Sequence, residues 1–215
     1  MSGGGDEPAI AVLDYGIGNL RSAEKALQHC GADARLVSDP EVARRSPAVV
    51  LPGVGAFGRC MEALEASGLD RVAREAASDG RPFLGICVGM QLLYEGSAES
   101  PAVAGLGILD GIIGRIPEGL VCPQMQWNRV DPCTDDVAML AGLGAQPWMY
   151  FVHSYAAPDG PDVVATCDYG GPVVAAVSRG AMWATQFHPE KSGLAGLALL
   201  ANFVAATHPV PADRH

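Results

Sequence analysis

Two short segments hold the residue types needed for nucleophilic catalysis. One is Gly85-Ile86-Cys87-Val88-Gly89, a cysteine between two glycines. The other is Phe187-His188-Pro189-Glu190, a histidine two residues before a glutamate. A thiol is nucleophilic as its thiolate, so it needs a base, and the base needs a group that fixes its ring. Cys87 can serve as nucleophile, His188 as proton acceptor and Glu190 as the carboxylate that orients the imidazole. Pro189 removes a donor and stiffens the turn, so His188 and Glu190 can point into one site. Each segment alone has an ordinary alternative: a buried structural cysteine beside a glycine turn, and a structural or exposed histidine. The two lie far apart in the chain, so only the fold can join them.

A third segment, "VVLPGVGAFG" (49–58), is an apolar strand ending in Pro52-Gly53-Val54-Gly55. Glycines there allow close backbone approach and turned N–H groups. Such a loop can give one hydrogen-bond donor to an oxyanion, and the N–H of Val88 can give the other. An ordinary strand-end turn is the alternative. Phosphate binding fits less well, because the loop lacks the P-loop lysine and the full dinucleotide pattern.

The elements that must position these residues alternate in the first half. Strands are expected at 9–13, 34–37, 48–51 and 82–86. A helix is expected from Asn19 to His29, one or two over 58–79, and another after Gly89 through Met90, Leu93 and Tyr94. This alternation implies a mostly parallel sheet covered on both faces. Cys87 then stands at a strand-to-helix bend, where a helix N-terminus favours the thiolate. After Gly105 the pattern changes to short strands at 107–113, 125–130, 148–156, 163–169, 173–178 and 181–187. Gly and Pro turns between them suggest antiparallel ribbons. An apolar helix, 194–207, closes the pattern and should pack on the sheet. Residues 9–207 read as one domain between loose termini, 1–8 and 208–215.

The 215 residues are 49% apolar and carry a formal charge of -10, so the chain can bury a substantial core. The acidic balance and the lack of a basic block argue against nucleic acid and against an anionic membrane surface. Six cysteines, Cys30, Cys60, Cys87, Cys122, Cys133 and Cys167, form no C-x-x-C pair and no zinc-ligand spacing. No signal peptide or membrane-spanning run is visible, so a cytoplasmic protein with reduced thiols is expected.

Taken together, Pro-Gly-Val-Gly, Gly-x-Cys-x-Gly-Met-Gln and His-Pro-Glu, in that order, resemble the class I (triad) glutamine amidotransferases. "DYGIGNL" (14–20), "LPGVGAFG" (51–58), "GICVGMQLLYEGS" (85–97), "WN" (127–128), "YFVHSY" (150–155) and "QFHPEKSG" (186–193) are similar to the glutaminase subunits of imidazole glycerol phosphate synthases. The resemblance implies a flavodoxin-like α/β fold: a mostly parallel central sheet flanked by helices, with antiparallel ribbons in the second half. It implies glutamine hydrolysis through a cysteine thioester. Ammonia would pass to a cyclase subunit, the partner in a heterodimer of histidine biosynthesis, with no metal or organic cofactor.

Carried over by motif, the triad is Cys87, His188 and Glu190, and the oxyanion donors are the backbones of Gly53, Val54 and Val88. Gly55, Gln91, His153 and Ser154 fall at the glutamine site. Asn19, Gln124, Gln126, Trp127, Asn128 and Lys191 fall at the cyclase interface. Ordinary roles stay open for Gln91 as a helix cap, His153 as a core histidine and Lys191 as a solvated charge. One departure stands out. The family usually reads Pro-His-Met-Gly-Trp-Asn where this chain has Pro123-Gln124-Met125-Gln126-Trp127-Asn128. Gln where glycine is usual requires a negative φ. Residues 124–128 are therefore expected as an extended strand beside the site mouth, with Gln126 and Trp127 on opposite faces. The partner surface would have changed to match. The competing functions are an amidotransferase for another acceptor, a γ-glutamyl hydrolase and a catalytically idle regulatory subunit.

Overall fold

The computed structural model describes residues 9–18, 20–117, 119–134 and 137–208. The expectations for residues 1–8, Asn19 and 209–215 lie outside the described residues.

The first half alternates as its periodicity implies. In order come β1 (Ile10–Leu13), α1 (Leu20–His29), β2 (Ala34–Val37), α2 (Pro40–Arg45), β3 (Ala48–Gly53), α3 (Phe57–Ser67), α4 (Leu69–Ser78) and β4 (Phe83–Cys87). Helix α2 escapes the periodicity reading because it is short. Its start is nonetheless written locally: the Asp39 carboxylate accepts from the N–H groups of Glu41 and Val42, and Pro40 opens the first turn. Gly68, at φ 73, separates α3 from α4.

The helix expected after Gly89 is a single turn, α5 (Val88–Gln91), and Tyr94 opens a strand, β5 (Tyr94–Ser97). The apolar spacing of Met90, Leu93 and Tyr94 reflects burial on all sides rather than one helix face. The backbone past Gln91 pairs elsewhere: Leu106 N–H donates to the Leu92 carbonyl, and Ile108 and Leu109 donate to that of Leu93.

The second half comprises β6 (Leu109–Arg115), β7 (Gln124–Arg129), β8 (Asp131–Pro132), β9 (Trp148–His153), β10 (Tyr155–Ala156), β11 (Val163–Asp168), β12 (Pro172–Arg179), β13 (Met182–Thr185) and α6 (Gly193–Ala206). The expected strand 148–156 is two strands, and 181–187 ends at Thr185. An eight-stranded sheet runs β2-β1-β3-β4-β13-β12-β11-β8. From β2 to β13 neighbouring strands are parallel, and β12, β11 and β8 continue it antiparallel. An antiparallel ribbon, β7 with β9, and a small β10-β6-β5 sheet complete the fold.

The central strands β1, β3, β4 and β13 are buried along their whole length, as expected for parallel strands covered on both faces. Phe203 of α6 meets Trp183 of β13 edge to face, with ring centroids 5.9 Å apart. Register places Gly53 beside Cys87 and Thr185 beside Ile86. The carboxyl ends of β3, β4 and β13 therefore open onto one crevice, the usual position for a ligand in an open α/β sheet.

Candidate active site

Cys87 ends β4 at φ 55 and ψ -112, and among the described residues it is the one non-glycine residue with positive φ. Such strain is kept where a function and its surroundings over-determine it. The flanking glycines make the bend possible. A Cβ on Gly89 would lie 1.8 Å from the Leu51 carbonyl oxygen, and one on Gly85 would lie 3.1 Å from Ala184 Cβ. Because α5 is one turn long, its dipole adds little to thiolate stability.

His188 follows β13, and its ring nitrogen Nδ1 lies 2.8 Å from Glu190 Oε1. Both side chains are nearly buried. The turn is riveted to β9: His188 N–H donates to the Tyr150 carbonyl at 3.0 Å. The Ser192 hydroxyl donates to the His188 carbonyl and accepts from Tyr150 N–H. His188 Nε2 is buried without a partner at hydrogen-bond geometry, and its ring lines the same cavity as Cys87. Burial disfavours the charged ring, yet Cys87 and Glu190 outweigh it and raise the imidazole to about 9. That geometry matches a resting site whose catalytic bond tightens only on substrate binding.

The loop after β3 is held from beneath. Tyr15 OH donates to the Pro52 carbonyl at 2.7 Å, and the Cys60 thiol to the Val54 carbonyl at 3.3 Å. Burial pushes both groups up, Cys60 to about 11, so both stay protonated donors. Gly55 takes φ 95. Gly53 has no room for a side chain, since its Cβ would lie 2.8 Å from Gly89 N.

A cavity of about 400 Å³ opens over Cys87. Val54, Gly55, Val88, Gln91, His153, Ser154, His188 and Lys191 all line it. The structure thus gathers almost every residue expected at the catalytic and glutamine sites; Gly53 lies just beneath, beside Cys87, and Glu190 stands behind the His188 ring. Gln91 caps no helix: its side-chain N–H groups go to the Tyr155 carbonyl at 2.9 Å and Gln186 Oε1 at 3.0 Å. His153 Nδ1 lies 2.9 Å from the same carbonyl, which can only accept, so Nδ1 carries the proton. Burial pushes His153 down to about 4, so the ring is neutral and its buried Nε2 is a free acceptor.

The ribbon residues separate by face. Gln126 is extended, exposed and free of positive φ, and it stands opposite in face to the half-exposed Trp127. Gln124 departs from the expectation of a partner-facing side chain. It is fully buried with Nε2 3.7 Å from Cys167 Sγ, because the even-numbered face of β7 turns onto β11. Asn128, on that face, donates to the Asp168 carbonyl. Asn19 lies outside the described residues, and Lys191 is exposed at the cavity rim. Sequence reasoning missed Glu99, Gln186, Tyr15 and Cys60 as individual residues. Glu99 is the one carboxylate lining the cavity among the described residues, fixed by a 2.7 Å bond from Phe57 N–H. Only Gln186 and Tyr15 carried a signal, by lying inside "QFHPEKSG" and "DYGIGNL".

A family model described as "Glutamine amidotransferase class-I" matches residues 11–207. The imidazole glycerol phosphate synthase subunit HisH of Methylococcus capsulatus is 50% identical over 91% of this chain and 95% of that relative. The subunit of the same name from Methanothermobacter thermautotrophicus is 49% identical over 91% and 97%. Among solved structures, a "glutamine amidotransferase" superposes with a TM-score of 0.73 at 22% identity, covering 93% of this chain and 98% of the other. A chain of PurLQS from Thermotoga maritima gives 0.66 at 19% identity, covering 94% and 97%. At those identities the two structures speak to fold alone.

Proposed function

We infer the activity from the premise that this chain belongs to the class-I glutamine amidotransferase family, and within it to the imidazole glycerol phosphate synthase subunits. It is the glutamine-hydrolysing subunit that works with a cyclase in histidine biosynthesis. The observation that carries the assignment of its residues is the meeting of Cys87 and His188 at one cavity, with Glu190 behind the His188 ring and Gln91 and Glu99 on the walls.

In this reading the α-ammonium of glutamine faces Glu99, and its side-chain amide lies over Cys87. Cys87 Sγ, its proton taken by His188, attacks the amide carbon. The developing oxyanion takes hydrogen bonds from Val88 N–H, which has no acceptor within α5, and from the backbone of the Gly53-Val54-Gly55 loop. His188, held by Glu190, gives its proton to the departing nitrogen, and ammonia leaves a thioester. His188 then takes a proton from water, hydroxide attacks the thioester, and glutamate leaves as the sulfur regains its resting state. Ammonia passes to the cyclase past the β7–β9 ribbon, with Trp127 and Lys191 on the partner-facing side and the exposed Gln126 on the other face of the ribbon. Residues 9–207 act as one amidotransferase domain, and a cytoplasmic location suits six free thiols. No helix among the described residues is long and apolar enough to cross a membrane.

The test is glutamine hydrolysis measured with and without a cyclase partner and its phosphoribosyl ligand. Hydrolysis should rise when both are present. Cys87→Ala should remove it while the circular dichroism spectrum and melting stay unchanged. Substantial hydrolysis by folded Cys87→Ala would end the nucleophile assignment. Stimulation by an unrelated acceptor enzyme instead of the cyclase would favour an amidotransferase of other purpose.

A further inference from the structure

The side-chain amide of Gln186 joins the substrate wall to the nucleophile, and none of the steps above uses it. Gln186 follows β13, is fully buried, and is fixed by its main-chain N–H to the Ala175 carbonyl at 2.8 Å. The orientation of its amide follows from an acceptor that cannot reverse. The Tyr155 carbonyl has no hydrogen to give, so Gln91 must turn its NH2 end toward it, at 2.9 Å. The other hydrogen of that NH2 runs to Gln186 at 3.0 Å, so the atom receiving it is the Gln186 oxygen. The remaining end of Gln186, its NH2, therefore faces Cys87 Sγ, 3.8 Å away.

We propose that Gln186 is a positioning residue for glutamine hydrolysis: its NH2 donates to the Cys87 sulfur and favours the thiolate, and its carbonyl locks the Gln91 amide. With both Gln91 hydrogens engaged, Gln91 offers its carbonyl oxygen to the substrate. A donor aimed at sulfur binds the anion more strongly than the neutral thiol, because such bonds are charge-assisted. The titratable groups around the sulfur are His188, which Glu190 and His153 influence in turn, and Tyr15 and Cys60 from the opposite side. Tyr15 and Cys60 are held neutral and spend their hydrogens on the Pro52 and Val54 carbonyls. Gln186 thus supplies a donor to the sulfur without adding charge to a buried site.

The proposal rests on Cys87 being the nucleophile, and it is tested without glutamine turnover so that the two can fail separately. The rate at which iodoacetamide alkylates Cys87 in the full chain is followed by mass spectrometry as pH is raised. Gln186→Met removes both bonds at similar volume. Gln186→Glu keeps the shape and the acceptor for Gln91, and places an anion where the donor was. The alkylation midpoint should move up by roughly one pH unit in Gln186→Met, and further in Gln186→Glu. KM for glutamine, measured with the cyclase, should rise more in Gln186→Met, which loses the Gln91 lock, than in Gln186→Glu. A residue with only a packing role would change melting temperature and leave the alkylation midpoint in place. An unmoved midpoint in Gln186→Met would overturn the proposal, and Gln186→Leu, which also lacks the donor, takes its place if Gln186→Met fails to fold. Should Cys87→Ala retain hydrolysis, the activity assignment falls instead, whatever the midpoints do.

Discussion

At the residue scale, two histidines in one cavity are driven in opposite directions by their neighbours. His153 has only backbone and a like-charged neighbour to answer its burial, so it is held down to about 4. His188 faces a carboxylate and a sulfur, and is raised to about 9. The consequences for stability have opposite signs. Below its ordinary value near 6.5, His153 takes a proton in the unfolded chain that the folded chain refuses. Stability is therefore lost as pH falls from about 6.5 to about 4, by up to about 3 kcal/mol. His188 contributes stability that is fully present below about 6.5 and is lost as pH rises through about 9. His153→Gln, which cannot titrate, should be less stable than the parent at neutral pH, with the gap closing as pH approaches 4. Urea unfolding at both pH values measures it, and a gap independent of pH would mean that His153 titrates normally.

At the element scale, the site depends on backbone brought closer than side chains allow. Helix α5 leaves β4 directly over the Leu51 carbonyl, where a Cβ on Gly89 would sit 1.8 Å from oxygen. Helix α6 crosses the triad turn in the same way, since a Cβ on Gly196 would lie 2.0 Å from the Pro189 carbonyl oxygen. Gly89→Ala cannot be absorbed by a rotamer change, because the obstacle is main chain. It should cost at least several kcal/mol, on the order of a severe core lesion, or prevent folding. Gly114 of β6 has open space and ordinary φ, so Gly114→Ala should change stability by less than about 0.5 kcal/mol. Chemical denaturation of the pair checks the contrast, and similar values for the two would remove the steric account of the elbow.

At the scale of the whole molecule, the cavity mouth is flanked by surface that a lone subunit has little reason to expose. Met125 is 63% exposed, Trp127 48% and Leu194 86%, and patches of that kind mark interaction sites. Trp127 packs edge to face on Tyr150, whose carbonyl accepts the His188 N–H. The surface and His188 are thus joined through a single residue of β9. Trp127→Ala and Lys191→Ala should fold normally and keep their basal hydrolysis, while the stimulation by cyclase and its ligand falls several-fold. An unaltered stimulation ratio in both would place the partner elsewhere. Of the two departures, Gln126 is exposed and open to a partner, whereas Gln124 is not. A Gln124→His substitution meets the buried surroundings of Cys167 before it meets any partner.

The sequence by itself determined the alternation of strands and helices, because burial on both faces and burial on one stripe leave different periods. It also singled out Cys87, His188 and Glu190 as candidates, since Gly-Ile-Cys-Val-Gly marks a sharp bend and His-Pro-Glu a stiff turn, and the structure places the His188 ring against Glu190 and beside the Cys87 cavity. The length of α5 was beyond it: whether an apolar run after Gly89 continues as helix depends on backbone partners at 106–109, far along the chain. The burial of Gln124 was hidden too, because alternation separates two faces without saying which one meets β11. Glu99 was unreadable as a site residue, and Gln186 was marked only by its place inside "QFHPEKSG". Gln186 reaches the Cys87 sulfur because β13 pairs with β4, and Glu99 reaches the cavity because its turn docks on the start of α3. No spacing along the chain encodes either distance.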